Sequence, residues 1–150
     1  MAPDPRGLPR GESASPAALH RLAVRVYYED TDFSGVVYHA SYLRFLERGR
    51  TEFLRALGIE HRGIFGNGGA DAFQFVVRAL TIEFLKPALM DDELCVETQP
   101  SATAGASIDM MQKIRRGGEV LLTAKVRIAV VAGGKARRIP VEVLAKLKGR

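Results

Sequence analysis

The sequence predicts an α+β domain in which one long helix is wrapped by an antiparallel sheet of about five strands. One stretch, 40–57, has helical periodicity, and four segments after it alternate apolar and polar residues as strands do. Short turns separate those segments, so neighbouring strands should run antiparallel. Because a single long helix is available to cover one face of the sheet, the sheet is expected to wrap around it.

Length and composition predict one domain preceded by a leader. A chain of 150 residues with 47% hydrophobic residues is long enough for one core and too short for two ordinary domains. Residues 1–21 are rich in Pro, Gly, Ala and Ser without apolar periodicity, so we expect a disordered leader there. The folded domain is predicted to span 22–150.

The strands are predicted from two-residue alternation. In the first, Val24, Val26 and Tyr28 alternate with Arg25, Tyr27 and Glu29. The others are placed at 73–85, 94–99, 106–116 and 120–131. Gly117-Gly118 is a hairpin signal between the last two. The pattern of 141–147 fits a short helix or a strand equally well.

The helix is predicted from apolar residues spaced three and four apart between 40 and 57. Ser41 is a candidate N-cap, and Gly58 is a candidate left-handed residue at the other end. Gly49 lies on the apolar side, where it would allow a close approach to the sheet. The helix should therefore pack directly on the sheet.

Charge and composition exclude several classes of protein. The net charge is +5, and the tail from Gly133 to Arg150 carries six basic residues against one acidic residue, so the remainder is close to neutral. No broad basic face is predicted, which argues against nucleic-acid binding. No apolar run approaches the length of a transmembrane helix, and the first 20 residues lack a secretory signal, so we expect a cytoplasmic protein. The single cysteine, Cys95, excludes an intrachain disulfide.

The loop before the helix is the candidate active site. Asp32 and Gly35 precede the helix start, so a carboxylate and a tight turn should lie beside unpaired backbone N–H groups that attract negative charge. This combination suits the stabilisation of an oxyanion. Asp30 and Asp32 could instead be ordinary turn residues, and we assign Asp30 to that structural role.

The run Tyr28-Glu29-Asp30-Thr31-Asp32, followed by Gly35-Val36-Val37-Tyr38-His39-Ala40 and Tyr42-Leu43, resembles the hotdog-fold acyl-CoA thioesterases. The nearest pattern is that of the Tol-Pal-associated group, which is related to hydroxybenzoyl-CoA thioesterase. Further matching positions are Glu47, Arg50, Leu80, Phe84, Lys86, Pro87 and Asp91-Asp92. The resemblance covers about 24–139.

The resemblance implies a hotdog fold that pairs with a second copy, as a homodimer or homotetramer, with active sites at the dimer interface. It implies that Asp32 is catalytic and that the backbone N–H at His39 faces the thioester carbonyl. Asp32 could attack the carbonyl directly or take a proton from an attacking water. The His39 side chain could orient water or polarise the carbonyl; protonating the leaving thiolate is the least needed role, because a thiol with a pKa near ~8.5 leaves readily.

Further assignments concern the substrate contacts, the basic residues near the C-terminus and Glu47. Gly35, Val36 and Tyr38 are predicted substrate contacts, although Tyr38 could simply be a packing residue. Lys135, Arg137 and Arg138 could contact the phosphates of coenzyme A or form a solvated basic end. Glu47 could pair with a neighbouring arginine of the helix or tether the active-site loop. No spacing of His, Cys and acidic residues predicts a metal site, and no cofactor is expected beyond the coenzyme A of the substrate.

The resulting prediction is an acyl-CoA thioesterase, with acyl carrier protein thioesters as possible substrates. A hotdog hydratase or dehydratase is an alternative, although such relatives place their acidic residue and histidine differently around the helix. A second alternative is a non-catalytic module that binds acyl-CoA or acyl carrier protein. The acyl group is not readable from the sequence.

Overall fold

The computed structural model describes residues 19–59 and 72–149. Its strands are β1 (His20–Arg25), β2 (Gln74–Phe84), β3 (Glu93–Ala104), β4 (Ser107–Arg116), β5 (Glu119–Ala132) and β6 (Lys135–Ala136). Its helices are α1 (Ser41–Ala56) and α2 (Val141–Leu147), and a 3-10 turn spans Tyr28–Asp30. The short segment that the sequence left undecided is therefore a helix.

The strands form one antiparallel sheet in the order β1-β3-β4-β5-β2, and β6 pairs with the end of β5. Helix α1 covers one face of this sheet, and its Phe45, Leu46, Phe53 and Leu54 are buried against it. The predicted α+β class and the helix wrapped by an antiparallel sheet are confirmed, and this arrangement is the hotdog fold.

Gly49 brings α1 close to the sheet, as predicted. A Cβ at this position would lie 2.6 Å from Val96 Cγ1 and 3.0 Å from Thr98 Oγ1, closer than carbon and oxygen atoms pack. At the other end of α1, Gly58 has φ +80°, the left-handed conformation expected after a helix. The two glycines thus set how near α1 lies to the sheet and where it ends.

Three predicted boundaries at or before the start of α1 differ from the structure. The predicted leader, 1–21, lies outside the described residues except for its last three, and His20 and Arg21 already belong to β1. The first strand ends at Arg25 rather than Tyr28, because Tyr28 enters the 3-10 turn. The N-cap of α1 is Ala40, without a side-chain capping bond, so the assignment of Ser41 as N-cap was wrong by one residue.

The two edges of the sheet are unlike each other. β1 has six residues, whereas β2 has eleven and pairs only with β5, so its outer edge is free in the described chain. Val76, Val77 and Phe84 of β2 are exposed. β2 also contains a bulge between Val77 and Ala79. A long edge strand with exposed apolar side chains is a template for pairing with another strand.

Candidate active site

Asp32 begins a tight turn that ends at Gly35. The Asp32 N–H donates to the Val36 carbonyl over 2.8 Å, and the Gly35 N–H donates to the Asp32 carbonyl over 3.1 Å. Gly35 has φ +83°, and Thr31 pairs with Val37 across the base of the turn. This is the geometry of a three-residue hairpin loop that closes on a left-handed glycine. The turn holds the Asp32 side chain in solvent.

The Asp32 carboxylate is bound within its own turn. Its Oδ1 accepts hydrogen bonds from the Ser34 hydroxyl over 2.6 Å and from the Ser34 N–H over 2.9 Å. These bonds, the hydroxyl bond first, hold the pKa of Asp32 below its usual range. Asp32 is therefore ionised at neutral pH, and its second oxygen, Oδ2, has no partner among the described residues.

Asp30, two residues earlier, is buried; with Tyr42 it forms what we call the framework of the site. Its Oδ2 accepts the Tyr27 N–H over 2.8 Å, and its backbone carbonyl accepts the Tyr38 N–H over 2.9 Å. Its Oδ1 lies 3.8 Å from the Arg44 guanidinium. Asp30 thus ties the loop to the start of α1, which confirms the structural role predicted for it.

The backbone before α1 presents two unpaired donors. The Ser41 N–H donates to the Tyr38 carbonyl over 2.8 Å. The N–H groups of His39 and Ala40 meet no acceptor within residues 19–59 and 72–149. They lie at the positive end of the helix dipole, so an anionic oxygen placed there would be stabilised.

A cavity of about 290 Å³ adjoins these donors, between the start of α1 and the end of β2. Its lining residues are Val37, His39, Tyr42, Phe84, Leu85, Lys86 and Pro87. The Phe84 and Leu85 side chains remain about half exposed. The His39 ring also packs at 4.5 Å from the Tyr38 ring. The cavity is thus a partly apolar recess with His39 at its wall.

Residues 86–92, which we call the clamp segment, hold the Asp32–Gly35 turn in place. The Ala88 N–H donates to the Tyr42 hydroxyl oxygen over 2.9 Å, and the Ala88 carbonyl accepts the Val37 N–H over 2.9 Å. Burial raises the pKa of Tyr42. Arg116 fixes the far side of the segment through Asp92, 2.6 Å away. Ala88 therefore links Tyr42 to Val37, which directly follows the Asp32–Val36 hairpin.

The predicted substrate contacts lie around the cavity rather than in its wall. Val36 forms a bridge with Leu89 of the clamp segment, and the Gly35 carbonyl accepts the Met90 N–H over 3.4 Å. Tyr38 is half exposed, and its ring contacts the His39 ring at a tilt of 52°. Of the predicted site residues, only His39 lines the cavity.

Sequence reasoning did not assign the part of the wall that comes from β2 and the clamp segment. Tyr42, Phe84, Lys86 and Pro87 entered only as matches to a family pattern. The available signal was Pro87, two residues after the predicted strand 73–85, which marks where the chain leaves the sheet.

The basic residues Lys135, Arg137 and Arg138 lie at the opposite end of the sheet. Phe84, at the cavity, pairs with Leu122 of β5, whereas the Arg137 N–H bonds to Val130, eight residues further along β5. At about 3.3 Å per residue this separation is about 26 Å. Within one chain these residues are not brought together with Asp32.

Neither a metal-ligand cluster nor a bilayer-spanning helix is found among the described residues. No group of three or more His, Cys, Asp or Glu side chains is arranged there to hold a metal ion. In the same part of the chain, neither helix is long and apolar enough to cross a bilayer.

Comparisons with known proteins place this geometry in a family. The model of the thioesterase-like superfamily matches residues 26–147. Acyl-CoA thioesterase YbgC of Haemophilus influenzae is 44% identical over 124 residues, which cover 81% of this chain and 89% of that protein. Acyl-CoA thioester hydrolase YbgC of Escherichia coli O157:H7 is 41% identical over 133 residues, 87% of this chain and 96% of that protein.

A solved structure agrees with these relatives. The crystal structure of a probable thioesterase from Bartonella henselae superposes with a TM-score of 0.78 at 47% sequence identity, covering 82% of this chain and all of that one. Together with the match over most of the chain, this agreement confirms the resemblance found in the Asp32–His39 region. The chain belongs to the thioesterase-like superfamily.

Proposed function

We propose that this chain, a thioester hydrolase, cleaves acyl-CoA to a free acid and coenzyme A, with Asp32 as nucleophile or base and the N–H groups before α1 as the oxyanion site. The observation that carries the proposal is the pair of unpaired donors at His39 and Ala40 beside a cavity and a turn that bears an ionised carboxylate. The names of the YbgC relatives support the substrate class.

The proposed chemistry needs one electron-pair donor and one site for negative charge. With the carbonyl oxygen at the His39 and Ala40 N–H groups, charge that develops on attack meets donors already in place. Asp32 Oδ2 can add to the carbonyl carbon and form a mixed anhydride that water then opens. Alternatively, Asp32 takes a proton from the water that attacks. In both routes coenzyme A leaves as a thiolate and is then protonated.

His39 has a backbone role and a side-chain role in this proposal. The backbone N–H contacts the oxyanion. The ring, packed against Tyr38 and half facing the cavity, orients the attacking water or polarises the carbonyl. The acyl group lies against Phe84 and Leu85, and Gly35, Val36 and Tyr38 shape the approach to the cavity through the turn.

We propose that the functional unit is a homodimer formed through β2. Two such dimers can assemble further into a homotetramer. The free edge and exposed apolar residues of β2 support antiparallel pairing with β2 of a second copy, which would make the two sheets continuous. Centred on the middle of β2, this pairing brings the partner's Gln74 opposite Phe84. The partner would then cover the exposed side of the cavity.

The same pairing gives the basic residues a role. The partner's Gln74 neighbours the end of the partner's β5 and β6, so the basic residues of that end come to the cavity of the first chain. Arg137 lies over the Phe73 ring at 5.8 Å, on the side of the sheet that carries the helices. Lys135, Arg137 and Arg138 would thus reach coenzyme A phosphates bound at the other chain's site.

The wider setting belongs to the same proposal. A cytoplasmic location, acyl carrier protein thioesters as alternative substrates and the association with the Tol-Pal system that the resemblance suggests are parts of this proposal. The sequence does not identify the acyl group, so a panel of acyl groups is needed.

The test is release of free thiol from short, long and aromatic acyl-CoA substrates by the wild type and Asp32→Asn. We expect hydrolysis by the wild type and a loss of about three orders of magnitude or more in kcat for the variant, because both routes need the carboxylate. Glu29→Gln, an exposed neighbour in the 3-10 turn, is the matched control and should keep its activity. Acyl-CoA binding without turnover by the wild type would overturn the proposal and favour a binding module.

A further inference from the structure

Two charged residues in the middle of α1, Glu47 and Arg50, have a geometry that the proposed chemistry does not use. Arg50 is half-buried, and its Nη1 donates to Gln112 Oε1 over 3.0 Å. Gln112 is fully buried and its Nε2 donates to the Leu46 carbonyl and to Thr98 Oγ1, both over 2.9 Å. The Gln112 amide is thereby fixed with its oxygen toward Arg50, which holds the guanidinium in one direction.

Neither charge is neutralised by a close partner. Within residues 19–59 and 72–149, no carboxylate lies within ion-pair distance of Arg50 and no basic group within that distance of Glu47. Two arrangements were predicted for Glu47: an ion pair inside the helix, and a tether to the Asp32–Gly35 turn. Neither is present among these residues. Burial lowers the pKa of Arg50, and Glu47 opposes this effect only through space. A half-buried guanidinium that uses only one of its five N–H groups lowers the free energy of unfolding unless it gains a further partner.

Both side chains line a groove of about 290 Å³ between α1 and the free edge of the sheet. The groove is completed by Thr51, Leu54, Phe75, Val77 and Ile128. Because Phe75 and Val77 belong to β2, the outermost strand, the groove opens where a second copy would pair. The two charges thus face the proposed partner.

Glu47 and Arg50 of α1 lie level with the middle of β2, where the two-fold axis of a β2–β2 pairing would pass. Near its start α1 meets the end of β2, with the Tyr42 and Phe84 rings 5.7 Å apart. Near its end, Leu54 lines the same groove as Phe75, close to the start of β2. The middle of α1 is therefore level with the middle of β2, around Ala79. An axis that pairs β2 with itself over its full length passes through this level.

We propose that Glu47 of each chain forms an ion pair with the partner's Arg50 across this axis, which gives two equivalent bridges. A two-fold axis requires this reciprocity: if one residue contacts another across it, the second also contacts the first. The inference rests on the dimer of the proposed function and names the charges that select a second copy of this chain and fix the register of the β2 pairing. The bridges lie between the two active sites, so they also set how each partner covers the other's cavity.

The test uses charge reversal in two separate chains. Glu47→Arg chains carry only basic groups at this level, and Arg50→Glu chains carry only acidic ones, so each variant alone should dimerise at least about tenfold more weakly than the wild type. An equimolar mixture pairs basic with acidic groups on both sides of the axis. We expect it to form a 1:1 heterodimer, detected by sedimentation and native mass spectrometry with one chain carrying a mass tag, and to regain thioesterase activity on mixing.

Matched controls are Arg48→Glu and Glu52→Arg, on the face of α1 that lines a different groove with β1 residues. These variants should dimerise like the wild type. Arg50→Glu also removes the donor to Gln112, so circular dichroism must show that it folds. If it does not fold, Glu47→Arg alone decides the matter, since Glu47 is exposed and its side chain bonds to nothing in the described residues.

The outcomes separate the bridges from the proposed function. A dimeric wild type with Glu47→Arg of unchanged dimer affinity overturns the bridges and leaves the dimer intact. Two weakened variants whose mixture stays monomeric also overturn them. A monomeric wild type overturns both the bridges and the proposed dimer, whereas hydrolysis that depends on Asp32 is measured independently of either.

Discussion

The Asp32–Gly35 turn and the buried framework beneath it, formed by Asp30 and Tyr42, place similar polar groups in different surroundings. In the turn, the Asp32 carboxylate is exposed and bonded only to Ser34. In the framework, Asp30 is buried and accepts the Tyr27 N–H at the start of its own 3-10 turn, and Tyr42 is almost fully covered and accepts the Ala88 N–H of the clamp segment. If Asp32 is the reactive carboxylate that we propose, reactivity and stability belong to different residues only a few positions apart.

The physical reason lies in what each bond replaces. A hydrogen bond in an exposed turn replaces a bond to water and contributes little to stability, so Asp32 can be exchanged at low cost. A buried backbone N–H that loses its acceptor has no water to turn to, and the free energy of unfolding falls. Substitutions in the framework should therefore reduce stability and substitutions in the turn should reduce activity.

Asp30→Ala is the most severe test of this division. It removes the acceptor of the Tyr27 N–H and the anion near Arg44, and we expect the free energy of unfolding to fall by about 2 kcal/mol. Activity per folded molecule should stay within a few-fold of the wild type. Urea unfolding and active-site-normalised kcat measure the two quantities, and Asp32→Asn provides the opposite profile. An Asp30→Ala protein of full stability and no activity would reverse the roles assigned to the two aspartates.

Tyr42→Phe tests the connection between the framework and the turn with a smaller change. The Ala88 N–H loses its acceptor while the ring remains, so we expect a loss of about 1 kcal/mol in the free energy of unfolding. Because Ala88 also accepts the Val37 N–H, kcat should fall modestly with little change in KM. Tyr28→Phe, at a side chain that is 81% exposed, is the matched control. Equal behaviour of the two variants would contradict the proposed connection.

The sequence predicted the framework of the fold better than the wall of the site. Alternation and helical spacing are local patterns, so α1, β2, β4 and β5 were placed within about two residues of their observed ends. The main strand error was β3, which was predicted to end at Gln99, directly before Pro100. The strand continues to Ala104 because a bulge between Pro100 and Ala102 accommodates the proline.

The cavity could not be predicted because it joins segments that are distant in sequence. Tyr42 and Phe84 meet only after β2 has paired with β5 on the far side of α1. Likewise, the fixed direction of Arg50 depends on Gln112, which is 62 residues away and carries no local signal. Asp32 and His39 were found because a family resemblance marked them; the turn residues alone left Asp32 open to a purely structural interpretation.

Ser34→Ala makes the smallest change to the turn and tests how its geometry sets the charge of Asp32. The Ser34 hydroxyl is the largest cause of the lowered pKa of Asp32, while the backbone N–H of residue 34 remains after the substitution. The lowered pKa places the acid limb of activity below the usual aspartate value of about 3.9. In the variant the pKa of Asp32 rises, so kcat/KM should begin to fall at a higher pH as the solution is acidified. The control is Thr31→Ala, whose hydroxyl donates to the Tyr28 carbonyl instead. Carbon-13 NMR titration of the Asp32 carboxyl gives the pKa directly, and an acid limb that does not move while this pKa rises would mean that another group controls the reaction.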